Sequence, residues 1–227
     1  MLSLDFLDND YLDKRTPSEK AKEQIKIDIL THEIRPGQRL IEQKLCERFD
    51  LSRPPLRQII NQLASEGYVE LIPNRGAFAS PFDQRMLDDI LNLKNLLYPQ
   101  AVQWAIERIT VDEFEMLQET FGFIRFYTPT GDIPKLFKFM RGFDAIIYNA
   151  TKNRELEDSL NKYDFIIQHA MRPQNFAVNY PDALLQEYQA IYEAFRTRNT
   201  SLGTEAAQTH VFRSMLRIKS NDYRSSN

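Results

Sequence analysis

Residues 51–78 read LSRPPLRQIINQLASEGYVELIPNRGAF, and this stretch decides the fold. Ser52 has the side chain of a helix cap, an oxygen that accepts backbone N–H groups otherwise left without partners. Pro54 suits the first helical turn, where a missing N–H costs nothing. Leu56, Ile59, Ile60 and Leu63 recur at helical spacing and predict one apolar face. Gly67 ends the helix, because glycine enters the left-handed cap without strain. Residues 68–72 alternate as a short strand, residues 73–76 turn the chain, and residues 77–79 return it. Arg53 and Arg57 are four apart and share the face opposite the apolar one, while Arg75 stands at the hairpin tip. Three guanidiniums exposed on a helix and a hairpin predict a reader of the DNA major groove with a wing beside it.

Working outward, residues 41–49 predict a short amphipathic helix with Leu45 and Phe49 inward and Cys46 as a small packed residue. Residues 50–52 form a tight turn into the next helix, which is a helix-turn-helix arrangement. Upstream, Thr16-Pro17-Ser18-Glu19 has capping-box spacing with proline at the first helical position. Ala21, Ile25, Ile29 and Leu30 continue it as a buried stripe. Residues 34–40 carry the chain around a Pro-Gly turn. Three helices and a β-hairpin within residues 16–80 predict a winged helix-turn-helix domain. An acidic tail, residues 1–15, precedes it.

Composition sets outer limits. The chain has 227 residues, which allows one or two domains, and no apolar run approaches the roughly 18 residues that a membrane helix needs. The acidic residues Asp5, Asp8, Asp10 and Asp13 argue against a secretory leader, and a lone cysteine forms no internal disulfide. Both point to a cytoplasmic protein. The net charge of −3 looks wrong for a nucleic-acid binder, but it is unevenly placed. Residues 18–80 hold ten basic and nine acidic side chains, so a local basic face is compatible with a near-neutral domain. A weak overall field predicts modest non-specific binding and operator binding by two protomers together.

Four blocks now carry a resemblance. Residues 36–42 (PGQRLIE), 51–57 (LSRPPLR), 66–69 (EGYV) and 73–78 (PNRGAF) match, in order and spacing, the DNA-binding domain of the GntR family of bacterial regulators. The resemblance covers residues 16–80. That family usually has Thr where Pro54 stands and Arg where Gln43 stands, so a hydroxyl and a guanidinium contact are missing here. It implies DNA contacts from Gln43, Lys44, Ser52, Arg53, Pro54, Arg57, Arg75 and Gly76.

After a linker at residues 81–83 the chain changes character. Strand-like alternation disappears, and breaks at Thr110, residues 128–131, residues 151–153, Pro173, Pro181 and residues 199–200 predict six helices. They run over about 84–107, 111–127, 133–150, 154–172, 181–197 and 201–219, before a short tail at 220–227. Leu91, Leu93, Leu96 and Leu97 line the first, Ile146, Ile147 and Ala150 the third, and Ile191, Ala194 and Phe195 the fifth. The expected fold is therefore mainly α, a winged helix-turn-helix followed by an all-α six-helix bundle.

Residues 143–153, 188–195 and 205–210 resemble the C-terminal effector domain of the FadR-type branch of that family, over residues 84–219. Many such domains hold a divalent metal with one Asp and three His and bind a carboxylate beside it. Carried over by position, the Asp becomes Met140, the first His becomes Asp144, the second becomes Tyr188, and the third remains as His210. A neutral phenol is a weak ligand, so the metal site reads as degenerate and no cofactor is expected. If zinc or a similar ion is bound, Asp144 and His210 hold it; His169 lies on a helix where the family does not usually place a ligand. Lys94 stands where the family often has Arg. With Met140, Asp144, Tyr188 and His210 it forms a candidate effector pocket for an organic acid.

The resemblance implies a regulator, by default a repressor, that binds a palindromic operator as a homodimer under control of a small, anionic metabolite. A winged helix that binds protein, or a DNA binder whose effector site no longer works, is the alternative. No phosphate loop, nucleophile motif or metal-ligand spacing points to an enzyme.

Overall fold

A computed structural model describes residues 15–170 and 180–225. Residues 1–14 of the acidic tail and the break at Pro173 lie outside the described residues. The chain divides into two compact units, one built on the first three helices and a small sheet, the other on the six helices that follow.

In the first unit, α1 (Pro17–Leu30) starts in the capping box expected of it. Thr16 Oγ1 accepts from the Glu19 amide at 3.2 Å, and Glu19 Oε2 accepts from the Thr16 amide at 2.7 Å. β1 (Arg39–Leu40), α2 (Glu42–Phe49), α3 (Arg53–Ser65), β2 (Val69–Ile72) and β3 (Gly76–Ala79) follow. Asp50 takes the left-handed conformation, φ 52°, and closes α2 within one residue, which makes the turn into α3 tight. At the far end of α3, Tyr68 N–H donates to Leu63 O and Gly67 N–H to Ala64 O, with Gly67 at φ +86°. That is a Schellman closure, and it aims the chain into β2. Leu56, Ile59, Ile60 and Leu63 are buried, as are Ala21, Ile25 and Ile29 of α1 and Leu45 of α2, and α3 packs on both helices.

Two expectations for this unit are corrected. Ser52 occupies the N-cap position of α3 in extended conformation, but its side chain caps nothing. A cap oxygen accepts from the second or third helical N–H, and here those positions are Pro54 and Pro55, which have none. The hydroxyl is left exposed instead. The wing is also not a bare hairpin: the sheet has three strands in the order β1-β3-β2, all antiparallel. Arg39 pairs with Phe78 on the edge of β3 opposite β2. Two residues are too few to show strand alternation, so the sequence there reads only as a turn.

In the second unit, α4 (Gln84–Arg108), α5 (Val111–Tyr127), α6 (Ile133–Ala150), α7 (Arg154–Ala170), α8 (Tyr180–Arg196) and α9 (Thr200–Ser225) follow the breaks expected at Thr110, residues 128–131, residues 151–153 and residues 199–200, with α9 running further than read. Thr110 builds a second capping box with Glu113, and Asp132 caps α6 by accepting from the Lys135 amide. Ile146, Ile147, Ala150, Ile191, Ala194 and Phe195 lie in one core with Tyr98, Val102, Ile106, Leu117, Ile124 and Phe143. On α4 the stripe is misread in part. Leu91 is buried, but Leu93 is 43% and Leu96 71% exposed. Leu87, Leu91, Tyr98, Val102, Ala105 and Ile106 set the inward face at helical spacing, and two or five residues from Leu91 is the other side.

Gly203 on α9 marks the tightest approach in this core. A β-carbon there would overlap Ile106 Cδ1 and lie 3.0 Å from Val102 Cγ1. Gly203→Ala is therefore expected to destabilise the protein by about 1–3 kcal/mol through overpacking, despite alanine's better helix propensity. A thermal melt checks this; an unchanged or higher midpoint would show that α4 and α9 have room to part.

Candidate nucleic-acid interface and the polar cluster of the bundle

The apolar stripe of α3 faces inward, so the helix turns Arg53, Pro54, Arg57, Gln58, Asn61, Gln62 and Ser65 outward along one surface. Arg57 lies across to α2, where its Nε donates to both Glu42 oxygens at 3.1 and 3.0 Å. That pair is exposed and screened, so it orients Arg57 more than it stabilises the fold. Arg53 has no ion-pair partner among the described residues, and its side chain is exposed. Gln43 donates to Glu47 Oε1 at 3.1 Å, and Lys44 is exposed on the same short helix. Arg75 caps the wing with its guanidinium 5.7 Å from the Phe78 ring. Next to it Gly76 adopts φ +103°, which a residue with a side chain rarely takes.

Sequence reasoning missed Gln58, Asn61 and Gln62. Asn and Gln amides read adenine edges in the major groove as arginine reads guanine. Their signal was available: 54, 58, 61 and 65 recur at helical spacing on the face that carries Arg57.

The six-helix unit holds a second cluster. Asp144 of α6 accepts from Tyr98 Oη of α4 at 2.8 Å and from Tyr188 Oη of α8 at 2.9 Å. Asp164 of α7 accepts from Tyr148 Oη at 2.6 Å and is ion-paired with Lys94 of α4. Lys94 Nζ also lies 5.3 Å from the centre of the Tyr98 ring. His210 of α9 packs against Tyr188, ring centres 5.2 Å apart, and its Nδ1 is 2.9 Å from Glu187 Oε2. Glu187 is itself buried and pairs with Arg217. Met140 is buried in the apolar core alongside. So Asp144 and Tyr188 bond directly, His210 packs edge-on against Tyr188, and Lys94 reaches Asp144 by way of Tyr98. Tyr98, Tyr148, Asp164 and Glu187 were missed because they come from four helices that nothing in the linear pattern brings together.

Burial pushes the Asp144 carboxyl above its ordinary range, against the pull of Lys94 and His210. It also pushes the phenols of Tyr98, Tyr148 and Tyr188 well up, helped by the two carboxylates. Burial works to lower the Lys94 ammonium, but Asp164 and Asp144 outweigh it and hold it above its usual value. Lys94 therefore stays charged and the phenols stay protonated at neutral pH.

This set does not fit the divalent metal that the FadR-type resemblance implies. Both Asp144 oxygens are engaged by phenol protons, a neutral phenol such as Tyr188 is a weak ligand, and Met140 offers a thioether to a hard cation. Among the described residues no group of three or more His, Cys, Asp or Glu side chains converges on a metal position.

Two family models match the chain. The one described as bacterial regulatory proteins, gntR family, matches residues 17–79, and the one described as the FCD domain matches residues 89–213, more than half of the chain. An uncharacterised HTH-type transcriptional regulator, YdhC of Bacillus subtilis, is 26% identical over 211 residues, 90% of this chain and 91% of that protein. The Nta operon transcriptional regulator of Aminobacter aminovorans is 30% identical over 129 residues, 56% of this chain and 60% of that protein. The galactonate operon transcriptional repressor of Escherichia coli is 23% identical over 207 residues, 81% of this chain and 89% of that protein. Among solved structures, E. coli McbR/YncC superimposes with a TM-score of 0.69 at 18% identity, over 94% of this chain and all of that one. No described helix is long and apolar enough to cross a membrane.

Proposed function

This chain belongs to the GntR family of bacterial regulatory proteins, with an FCD domain after its winged helix, and on that premise we propose that it represses transcription as a homodimer on a palindromic operator. That it is a DNA-binding regulator and not an enzyme follows from the family. Contact with DNA is supported above all by the outward face of α3, where Arg53, Arg57, Gln58 and Asn61 leave both arginine and amide groups for base edges. Ser52, Gln43 and Lys44 border that face and suit phosphates, while Arg75 and Gly76 reach the neighbouring groove. Pro54 contributes rigidity and no donor. Repression is favoured by the galactonate operon repressor among the relatives and by the steric simplicity of blocking a promoter. Dimerisation has candidate surfaces in Leu93 and Leu96 of α4 and in Phe212 and Leu216 of α9, all exposed.

A gel shift with DNA flanking the chain's own gene tests the reading. A discrete complex that survives excess unrelated duplex is expected. Only smeared, fully competed binding would remove the operator.

The effector is proposed to be an organic acid that enters at Lys94. Its carboxylate would take the place of Asp164 on the ammonium, and the tyrosines would supply phenol donors. Such a ligand alters operator affinity only if it favours one arrangement of the dimer. We infer that no metal takes part, because the donor set does not fit one. In a thermal-shift screen, an organic acid should raise the melting midpoint of wild type and not of Lys94→Gln. Added zinc or a chelator should leave the midpoint where it is. A zinc-dependent rise would overturn the metal-free reading.

A second reading has its own observation. Lys94, Asp144, Asp164 and the three tyrosines already satisfy one another, so the cluster also works as a closed structural core in a ligand-independent DNA binder. A screen in which no acid shifts wild type would favour it.

A further inference from the structure

Gln43 stands where the family usually has arginine, and the one arginine of α2, Arg48, is paired with Asp28 of α1. The third strand supplies a guanidinium. Arg39 of β1 lies at the sheet edge beside β3, with the Nε–Nη2 edge of its guanidinium turned against Gly76. A β-carbon on Gly76 would be 3.3 Å from Arg39 Nε and 3.5 Å from Nη2. Gly76 thus serves two ends, a left-handed turn and a bed for Arg39. The same side chain lines a cleft of about 400 Å³ with Gln43, Arg53, Gly76 and Ala77. Glu42 also borders it, but its two oxygens are held by Arg57 from the other side. Arg39 is exposed and has no ion-pair partner among the described residues.

One wall of this cleft is the start of α3 and the other is the wing. When a recognition helix lies in the major groove and a wing in the adjacent groove, the ridge of phosphates between the grooves must pass between them. From that placement we propose that Arg39, held in position by Gly76, is a phosphate-binding residue that clamps the DNA backbone between α3 and the wing, replacing the guanidinium that Gln43 lacks. A guanidinium presents two parallel N–H groups to one phosphate, and Arg53 across the cleft adds a second cation. A backbone contact of this kind fixes register without reading sequence. The proposal rests on the DNA-binding reading above.

The test compares full-length wild type, Arg39→Gln, Gly76→Ala and the exposed control Arg154→Gln. Two duplexes serve as probes: one selected from a randomised pool by wild type, and its scrambled counterpart. Each phosphate contact contributes about 0.9 to the slope of log affinity against log salt. Arg39→Gln should lower that slope by about 0.9 per bound protomer on both duplexes. Between 50 and 200 mM salt its affinity should therefore fall roughly three- to fourfold less per protomer than wild type's. The ratio of selected to scrambled affinity should stay as in wild type. Gly76→Ala should reproduce part of the effect by displacing Arg39, and Arg154→Gln should show none. Far-ultraviolet circular dichroism and a melt confirm that the variants are folded; Arg39→Lys, which keeps the charge, should retain most of the slope.

An unchanged slope in folded Arg39→Gln would overturn the proposal while leaving DNA binding intact. Loss of preference at particular base pairs with the slope retained would also overturn it, in favour of base reading. A wild type that enriches no duplex would remove the DNA-binding reading itself, and this proposal with it.

Discussion

Arg53→Ala is expected to weaken binding to a selected operator by about ten- to a hundredfold per half-site while leaving the fold untouched. Arg53 is the first residue of α3, exposed and unpaired by any carboxylate among the described residues. It supports no core side chain, so its removal costs no packing. A bidentate arginine contact to a base discriminates by about 1–3 kcal/mol, and a dimer loses two of them. The prolines that follow strengthen the prediction. Residues 54 and 55 cannot offer backbone N–H groups to a phosphate, so the helix start depends on side chains more than usual. Arg57→Ala should cost less, because Arg57 must first leave Glu42. Equilibrium titration at fixed salt, with Arg154→Ala as control, measures both. Equal affinities for Arg53→Ala and the control would mean that α3 does not meet DNA at its start.

The second large effect falls on stability. Glu187→Ala should destabilise the six-helix unit by about 3 kcal/mol at neutral pH. Glu187 is buried and is shared by His210, Arg217 and, at 3.6 Å, Arg213. Removing one partner of a buried pair costs about 3–5 kcal/mol because the other charge is left without compensation. The lower end applies here, since Arg217 keeps 20% and Arg213 53% of its side chain in solvent. A fall in melting midpoint of roughly 6–12 °C follows for a unit of this size. The pH dependence has a definite sign. Burial raises the Glu187 carboxyl, but His210 and Arg217 outweigh it and hold it below its ordinary 4.5. A depressed carboxyl contributes stability that is complete above 4.5 and lost as pH falls through its lowered folded value. Glu187→Ala should therefore show a weaker acid-induced drop than wild type below pH 4.5. Parallel curves would assign the acid sensitivity elsewhere.

Local chemistry made most of the first unit legible. Thr16 and Glu19 announced α1, Gly67 announced the end of α3, and the apolar stripe of α3 fixed which residues face out. Ser52 misled because capping depends on which donors follow, and two prolines remove them. Arg39 went unread because the strand that places it is two residues long and exists only by pairing with Phe78 and Ala77. In the bundle, breaks were visible as turn residues, whereas contacts between helices were not. Leu93 and Leu96 looked like core by composition, and only the neighbours of α4 decide which side is inside. Of the carried-over positions, Asp144 bonds Tyr188 and His210 packs against Tyr188, but the groups around them, Tyr98, Asp164 and Glu187, belong to no short motif.

Dimethyl sulfate interference on the selected duplex tests the central claim, that the exposed face of α3 reads base edges in the major groove. The methyl group added to guanine N7 projects into that groove. The account predicts that methylation of guanines in two half-sites about one helical turn apart blocks wild-type binding, and that Arg53→Ala no longer responds to at least one of them in each half. Binding indifferent to N7 methylation, or an unchanged pattern in Arg53→Ala, would contradict it.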